Sequence, residues 1–297
     1  MNKEEKKYLE LLTEILYWGS KREDRTGIGT MGIFGTQLRF SLEVNKVPML
    51  TTKKMFLKGV VEELLFFLRG DTDTKLLEAK GVNIWKGNTT REFLDKRGLK
   101  SLPEGSMGKG YGFQWRKFGA HDEQIDYISS AYEATDQGTD QLANVIETLK
   151  TNPTDRRIIM SAWHPGQLHK AALPPCHIMV QFYVDNGKLS SQFYMRSVDT
   201  FLGLPFNILS YAILTRIIAQ AVGLEAKEVI FTGGDTHIYL NHKEQVMEQL
   251  KREPFEFPTL TIDKELSTVA DIEALQLSDF IVEGYQSHPS IKAEMAV

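Results

Sequence analysis

Apolar residues recur along the chain at spacings that change from segment to segment, and each change marks a new element. Residues 4–18 carry Tyr8, Leu11, Leu12, Ile15 and Leu16 at helical spacing, with Gly19 following as a stop. Residues 53–69, KKMFLKGVVEELLFFLR, are apolar nearly all round and close at Gly70, which predicts a largely buried helix. Two glutamates interrupt it. Glu62 has Lys58 at i−4, where a solvated pair is expected, whereas Glu63 shares a stripe with Phe56, Val60, Leu64 and Phe67. A carboxyl group on that stripe needs a buried partner or a raised pKa, and a raised pKa suits a general acid/base near neutrality. Residues 139–150 read as a short amphipathic helix. After the Asn152-Pro153 turn, Arg156 and Arg157 lead the apolar strand IIMSAW, on which neighbouring side chains point to opposite faces. The run ILSYAILTRIIAQAV predicts a helix with Asn207 as its N-cap and Gly223 at its end. Asp235, His237 and Tyr239 alternate on a later strand-like run and share one face.

The stretch from Leu173 to Ile208 concentrates reactive groups around the single cysteine. Asn186-Gly187 between two apolar-rich runs predicts a hairpin with a two-residue type I′ turn. Asp185 then faces Lys188, and counting back sets His177 opposite Arg196 and Cys176 opposite Ser197, unless a bulge shifts the register. A lone cysteine in such a chain is most often an inert buried hydrophobe. Here Pro174 and Pro175 end the preceding segment, so Cys176 sits at a strand mouth, where a guanidinium from the partner strand is expected to lower its pKa toward thiolate. His177 points to the opposite face and is a poor base for it. Cys176 therefore reads as a nucleophile toward an electrophilic carbon.

Composition narrows the class. The 297 residues are 42% hydrophobic, ample for a core, and 35 basic against 39 acidic residues give a net charge of −4. With no polybasic block, a large nucleic-acid footprint is not expected. One cysteine rules out an intrachain disulfide and a cysteine-ligated zinc cluster, and suits a reducing, cytoplasmic setting. The charged amphipathic N-terminus is unlike a secretory leader, and residues 201–224 contain Pro205, Asn207, Arg216 and Gln220, so a buried helix is expected there rather than a membrane span.

Gly27-x-Gly29-x-x-Gly32 formally matches a dinucleotide fingerprint, but no strand is expected before it, and an alternating strand pattern rather than a helix follows. A glycine-rich loop carrying Arg25 is the better reading. Residues 80–120, with Trp85, Tyr111 and Trp115, predict a long, partly helical excursion of the kind that carries a site. His237 and His242 lack an HExxH context, so zinc is not expected. No repeat or flexible linker divides the chain, and one domain over 1–297 is expected.

The motifs DRTGIGT, VEELLFFLRG, NPTDRRIIMSAW, LPPCH, RSVDTFLGLPFNI, GGDTHIYLNH and IKAEMAV, in this order, resemble the thymidylate synthase family over nearly the whole length. The resemblance implies an α/β fold whose large mixed sheet, flanked by helices, packs against its mate in an obligate homodimer. It implies dUMP as substrate, 5,10-methylenetetrahydrofolate as cosubstrate and no metal. Cys176 matches the nucleophile that attacks C6 of the pyrimidine. Arg25, Arg196 and Ser197, with Arg156 and Arg157 of the partner subunit, match the phosphate cluster. Asn207 matches the uracil-reading amide, His237 and Tyr239 the ligands of the 3′-hydroxyl, Glu63 the proton relay and Tyr111 the group aiding loss of the C5 proton. Trp85, Asp199, Gly203 and the region of Ala296 match folate contacts, and Asp199 is also expected among the dUMP-binding residues.

Three positions depart from the dTMP-forming members: Met195 for Gln, Lys86 for Asp after Trp85, and Lys109-Gly110 for Pro-Val before Tyr111. In the predicted register Met195 shares the face of Cys176. Bacteriophage deoxycytidylate hydroxymethylases of the same superfamily share the Met and lack the Pro-Val, but carry Asp at the position of Asn207. The expected activity is therefore a deoxyuridylate hydroxymethylase, in which water adds to the exocyclic methylene to give 5-hydroxymethyl-dUMP. The alternative is a thymidylate synthase giving dTMP and dihydrofolate. A non-catalytic nucleotide- or RNA-binding protein is the third reading, and it would not need Cys176, Glu63, Tyr111 and Asn207 together.

Overall fold

The computed structural model describes residues 2–120 and 137–294. Asn2 accepts the Glu5 N–H and so caps helix α1 (Lys3–Trp18), whose predicted stripe of Tyr8, Leu11, Leu12 and Ile15 is buried. Strand β1 (Ser20–Arg22) does precede the glycine loop, contrary to expectation, but the extended β2 (Thr30–Ser41) leaves it, so no dinucleotide turn forms. Helix α2 begins at Leu57 and runs to Leu68. The excursion that follows holds α3 (Lys75–Glu78), α4 (Arg91–Lys96) and α5 (Tyr111–Lys117). Asp140 caps α6 (Gln141–Thr151). Then come β3 (Ile159–Ser161), β4 (His177–Asp185), β5 (Lys188–Asp199), α7 (Gly203–Ala221) and β6 (Glu225–Tyr239). Helix α8 (Lys243–Leu250), β7 (Thr259–Ile262), α9 (Val269–Glu273) and β8 (Phe280–Glu283) complete the fold.

The main sheet has the order β1-β2-β6-β5-β4-β3 and is mixed, because β5 and β6 run parallel across the α7 crossover while the other neighbours are antiparallel. One face buries Leu38, Phe40, Phe182, Phe193 and Phe231 in the core. On the other, Gln37, Arg39, Tyr183 and Gln192 are exposed. Helix α7 is long and apolar enough to cross a bilayer, yet 78% of its apolar window is buried inside the protein, as the sequence predicts for a core helix.

The hairpin turn forms as expected, with Asn186 and Gly187 at φ 50° and 74°. Its register holds from Asp185↔Lys188 to Met179↔Tyr194 and then slips at Ile178, so that His177 faces Met195. The Arg196 N–H now donates to the Cys176 carbonyl at 2.9 Å. This corrects the predicted register: Cys176 lies across from Arg196, not Ser197, and Met195 shares a face with His177.

Three further expectations fail locally. Helix α7 starts at Gly203 because Pro205 is tolerated in a first turn, and Asn207 is inside the helix rather than its cap. The entry is shaped instead by Asp199, whose Oδ1 accepts the N–H groups of Phe201 and Leu202. Arg156 and Arg157 occupy an exposed turn ahead of β3, with Arg157 held by Asp155 at 2.8 Å, so strand alternation does not apply to them. Glu62 is buried and pairs at 2.6 Å with Lys80, a partner 18 residues away, instead of with Lys58.

Candidate active site

Pro174 and Pro175 leave their carbonyls without a strand partner, and Arg196 takes both: Nε donates to Pro175 O at 2.8 Å and Nη2 to Pro174 O at 3.0 Å. Its guanidinium also lies over the Trp163 ring, 5.5 Å from the centroid. Arg196 thus clamps the segment that presents Cys176 as well as lending it charge. The thiol is well enclosed although the residue keeps partial exposure. Burial pushes its pKa up, against the downward pulls of Arg196 and Arg25. The expected net lowering is therefore not found, because desolvation exceeds the arginine pull.

Beneath the cysteine an aromatic ladder fixes the opposite wall. Tyr111, at the start of α5, stacks on His177 at 4.1 Å and on Phe67 of α2 at 5.0 Å. Its hydroxyl oxygen accepts the Cys176 N–H at 2.7 Å. Burial, followed by the nearby Cys176, holds the Tyr111 pKa well above the usual phenol range, so the hydroxyl keeps its proton. Burial drops the His177 pKa to about 3, leaving a neutral ring bonded through Nδ1 to the Tyr211 hydroxyl at 2.8 Å. Glu63 comes from the face of α2 that the sequence picked out. Trp85 Nε1 donates to its Oε1 at 2.7 Å. Burial raises the carboxyl pKa to about 7, with the Trp85 bond acting downward.

The third wall is built by β5, β6 and the Arg25 loop. The Asp24 carboxylate accepts from Thr26 N, Thr26 Oγ1 and Gly29 N, which folds the loop and brings Arg25 within electrostatic reach of the Cys176 thiol. Parallel pairing sets Ser197 beside Asp235 and Asp199 beside His237. His237 Nδ1 bonds to Asp235 Oδ1 at 2.9 Å, and the Tyr239 ring stands edge-on to it at 5.2 Å. At Gly203 an added Cβ would lie 3.6 Å from Asp199 Cβ and 3.8 Å from Asn207 Oδ1, so these three converge on one small space. Arg156 and Arg157 are exposed, and the folate expectation at Ala296 lies outside the described residues.

Several groups here carried no sequence signal. Lys53 is buried with Nζ donating to Phe201 O and lying over the Phe201 ring, 3.8 Å from its centroid. Burial lowers its pKa to about 7, opposed by Asp199. Trp163 and Tyr211 act through packing from distant segments. Arg22 was visible only as one charge in KRED, and it reaches Asp235 Oδ2 at 2.9 Å. Among the described residues no group of His, Cys, Asp and Glu side chains could hold a metal.

The departures from the dTMP-forming pattern have ordinary structural roles. Met195 is 3% exposed in the core. Lys86 is a surface residue paired with Glu78 at 3.6 Å. Lys109 is buried and donates to Ala120 O at 2.6 Å.

A family profile described as "Thymidylate synthase" matches residues 6–297. Human thymidylate synthase is 52% identical over 295 residues, covering 99% of this chain and 91% of that protein. The Saccharomyces cerevisiae thymidylate synthase is 51% identical over 306 residues, covering 100% and 98%. The bifunctional dihydrofolate reductase-thymidylate synthase of Leishmania major is 50% identical over 298 residues, and the chain spans 56% of its length. On the strength of a profile match across nearly its whole length, the chain belongs to the thymidylate synthase family.

Proposed function

We propose that the chain is a thymidylate synthase, converting dUMP to dTMP on one catalytic domain over residues 1–297 and working as a homodimer. The observation that carries this is the enclosure around one mouth of a thiol bracketed by Arg196 and Arg25 and a carboxyl group, Glu63, that titrates near neutrality. Similarity over nearly the full length to proteins named thymidylate synthase favours the methyl outcome over the hydroxymethyl one. The hydroxymethylase reading rests on Met195, Lys86 and Lys109, and each has a core or surface contact that also accounts for it. The exposed sheet face, with Phe34 85% and Tyr183 66% exposed, supports a second subunit there, with Arg156 and Arg157 of the partner subunit completing the phosphate site.

In this reading the phosphate dianion meets the guanidinium groups of Arg25 and Arg196 and the Ser197 hydroxyl. Cys176 Sγ adds to C6 of the uracil ring, and the electron pair moves through C5 to O4. The Asn207 amide offers a donor to O4 and an acceptor to N3–H, so it selects uracil and stabilises the charge at O4. Glu63, near its own pKa at neutral pH, can hold or release a proton toward O4 through water. Tyr111 keeps its own proton and so is not the base for C5; its hydroxyl orients a water that accepts the C5 proton and passes it to solvent. His237 and Tyr239 hold the sugar hydroxyl.

Methylenetetrahydrofolate is the family's cosubstrate, and when bound it supplies the one-carbon unit and the hydride that reduces it. The residues fit such a group: the Trp85 ring gives an apolar wall, Asp199 Oδ2 remains an acceptor while Oδ1 is engaged, and Gly203 leaves space that a Cβ would fill. Incubation with 5-fluoro-dUMP and methylenetetrahydrofolate should give an adduct seen by intact mass and absent from Cys176→Ser. No adduct in the parent protein, or one that survives that substitution, would refute the assignment.

A further inference from the structure

The Asp235 carboxylate is held at both oxygens: Oδ1 bonds to His237 Nδ1 at 2.9 Å and Oδ2 accepts from Arg22 Nη1 at 2.9 Å. The imidazole it touches is confined. His237 is 6% exposed, Tyr239 stands edge-on at 5.2 Å, and a Cβ on Gly32 would approach His237 Cβ to 3.1 Å and Asp235 Oδ1 to 3.6 Å. Turning the ring over to exchange its nitrogens would give up the Nδ1 bond to Asp235 in a buried setting.

The geometry points to Asp235 as a positioning residue that fixes the tautomer of His237 and makes its Nε2 the acceptor for the 3′-hydroxyl of the nucleotide. This rests on the dUMP site proposed above. An ionised carboxylate only accepts, so its bond to Nδ1 requires the proton on that nitrogen, and in the neutral ring Nε2 keeps a lone pair. A sugar hydroxyl can then donate to Nε2 while accepting from the Tyr239 hydroxyl, which satisfies all three groups. With the proton on Nε2 instead, the sugar hydroxyl would have to accept from Nε2 and donate to the Tyr239 oxygen, reversing the direction of the chain and removing the histidine acceptor. A site arranged to receive a hydroxyl discriminates against an analogue without one, because the buried acceptor is then left unpaired.

The test compares dUMP with 2′,3′-dideoxyuridine monophosphate, which lacks the hydroxyl. The parent protein should prefer dUMP in kcat/KM by about tenfold or more, the scale of one hydrogen bond to a buried group. In Asp235→Asn the amide can donate to Nδ1 and favour the other tautomer. The preference should then fall to within about twofold, chiefly through a higher KM for dUMP. A preference that stays at the parent value in Asp235→Asn overturns the inference. Histidine 15N spectra of the parent protein, assigned with His237→Gln, give a second reading that needs no variant at Asp235 and no nucleotide. A protonated Nδ1 with a bare Nε2 supports the proposal, and a bare Nδ1 overturns it. Absence of dUMP turnover in the parent would sink the dUMP reading alone, since the tautomer is read in the resting protein.

Discussion

Glu63→Gln tests whether the carboxyl group on the buried stripe of α2 is held near neutrality by its surroundings. Burial raises the folded-state pKa from 4.5 to about 7. The sign follows from linkage. Below the unfolded value the carboxyl is protonated in both states and its full contribution is present; as pH rises the unfolded chain ionises first, and the contribution is lost through the folded pKa. At about 1.4 kcal/mol per pKa unit, that gap corresponds to ~3 kcal/mol over the whole range, and to roughly 2.5 kcal/mol between about pH 5 and about pH 8. Glutamine keeps the shape and cannot ionise. Urea unfolding of parent and variant at one protein concentration should therefore show the parent losing stability relative to Glu63→Gln as the pH is raised. Other titrating groups cancel in the difference. A parent-minus-variant difference equal at the two pH values would refute the claim that the Glu63 carboxyl is desolvated with a raised pKa, and with it the basis for its proton relay.

Other perturbations address separate parts of the structure. Arg196→Met removes the stronger of the two arginine pulls on the Cys176 thiol and the clamp on Pro174 and Pro175, so the pH midpoint for iodoacetamide alkylation of Cys176 should rise; an unmoved midpoint would leave Arg196 no electrostatic role there. Val44 is 87% exposed at φ 49°, a left-handed backbone that suits asparagine far better than a β-branched side chain. Val44→Asn should raise stability by about 1 kcal/mol, read as a higher urea midpoint, and a lowered midpoint would contradict the assignment of strain.

What the sequence made legible was local or periodic. The Asn186-Gly187 turn and the first pairs of the hairpin follow from turn chemistry; helical spacing found the Val60, Leu64 and Phe67 part of the Glu63 stripe, but Glu63 itself is half-buried, Phe56 is 45% exposed and Glu62 is the buried one. The bulge at Ile178 does not, because it is stabilised by a guanidinium bonding two proline carbonyls more than 20 residues away. The pKa of Cys176 was misjudged for a related reason: the neighbouring arginine is visible in the sequence, whereas the depth of the thiol is a property of the packed fold. Glu62 found Lys80 across the excursion rather than the near Lys58, since burial of α2 removed the solvated option. The Asn207 cap failed because the helix begins four residues earlier, at Gly203, after a turn that Asp199 shapes by accepting the Phe201 and Leu202 N–H groups. The unbulged register places Met195 on the face of Cys176; the slip at Ile178 turns it to the buried face of His177, below the aromatic ladder.

The central claim is the methyl outcome, and the most direct measurement is the mass of the product formed from dUMP and methylenetetrahydrofolate in heavy-oxygen water, with the oxidation state of the released folate read in parallel. The account predicts dTMP without solvent oxygen, formed one-for-one with dihydrofolate and abolished in Cys176→Ser. A 5-hydroxymethyl nucleotide carrying solvent oxygen, released with tetrahydrofolate, would contradict it.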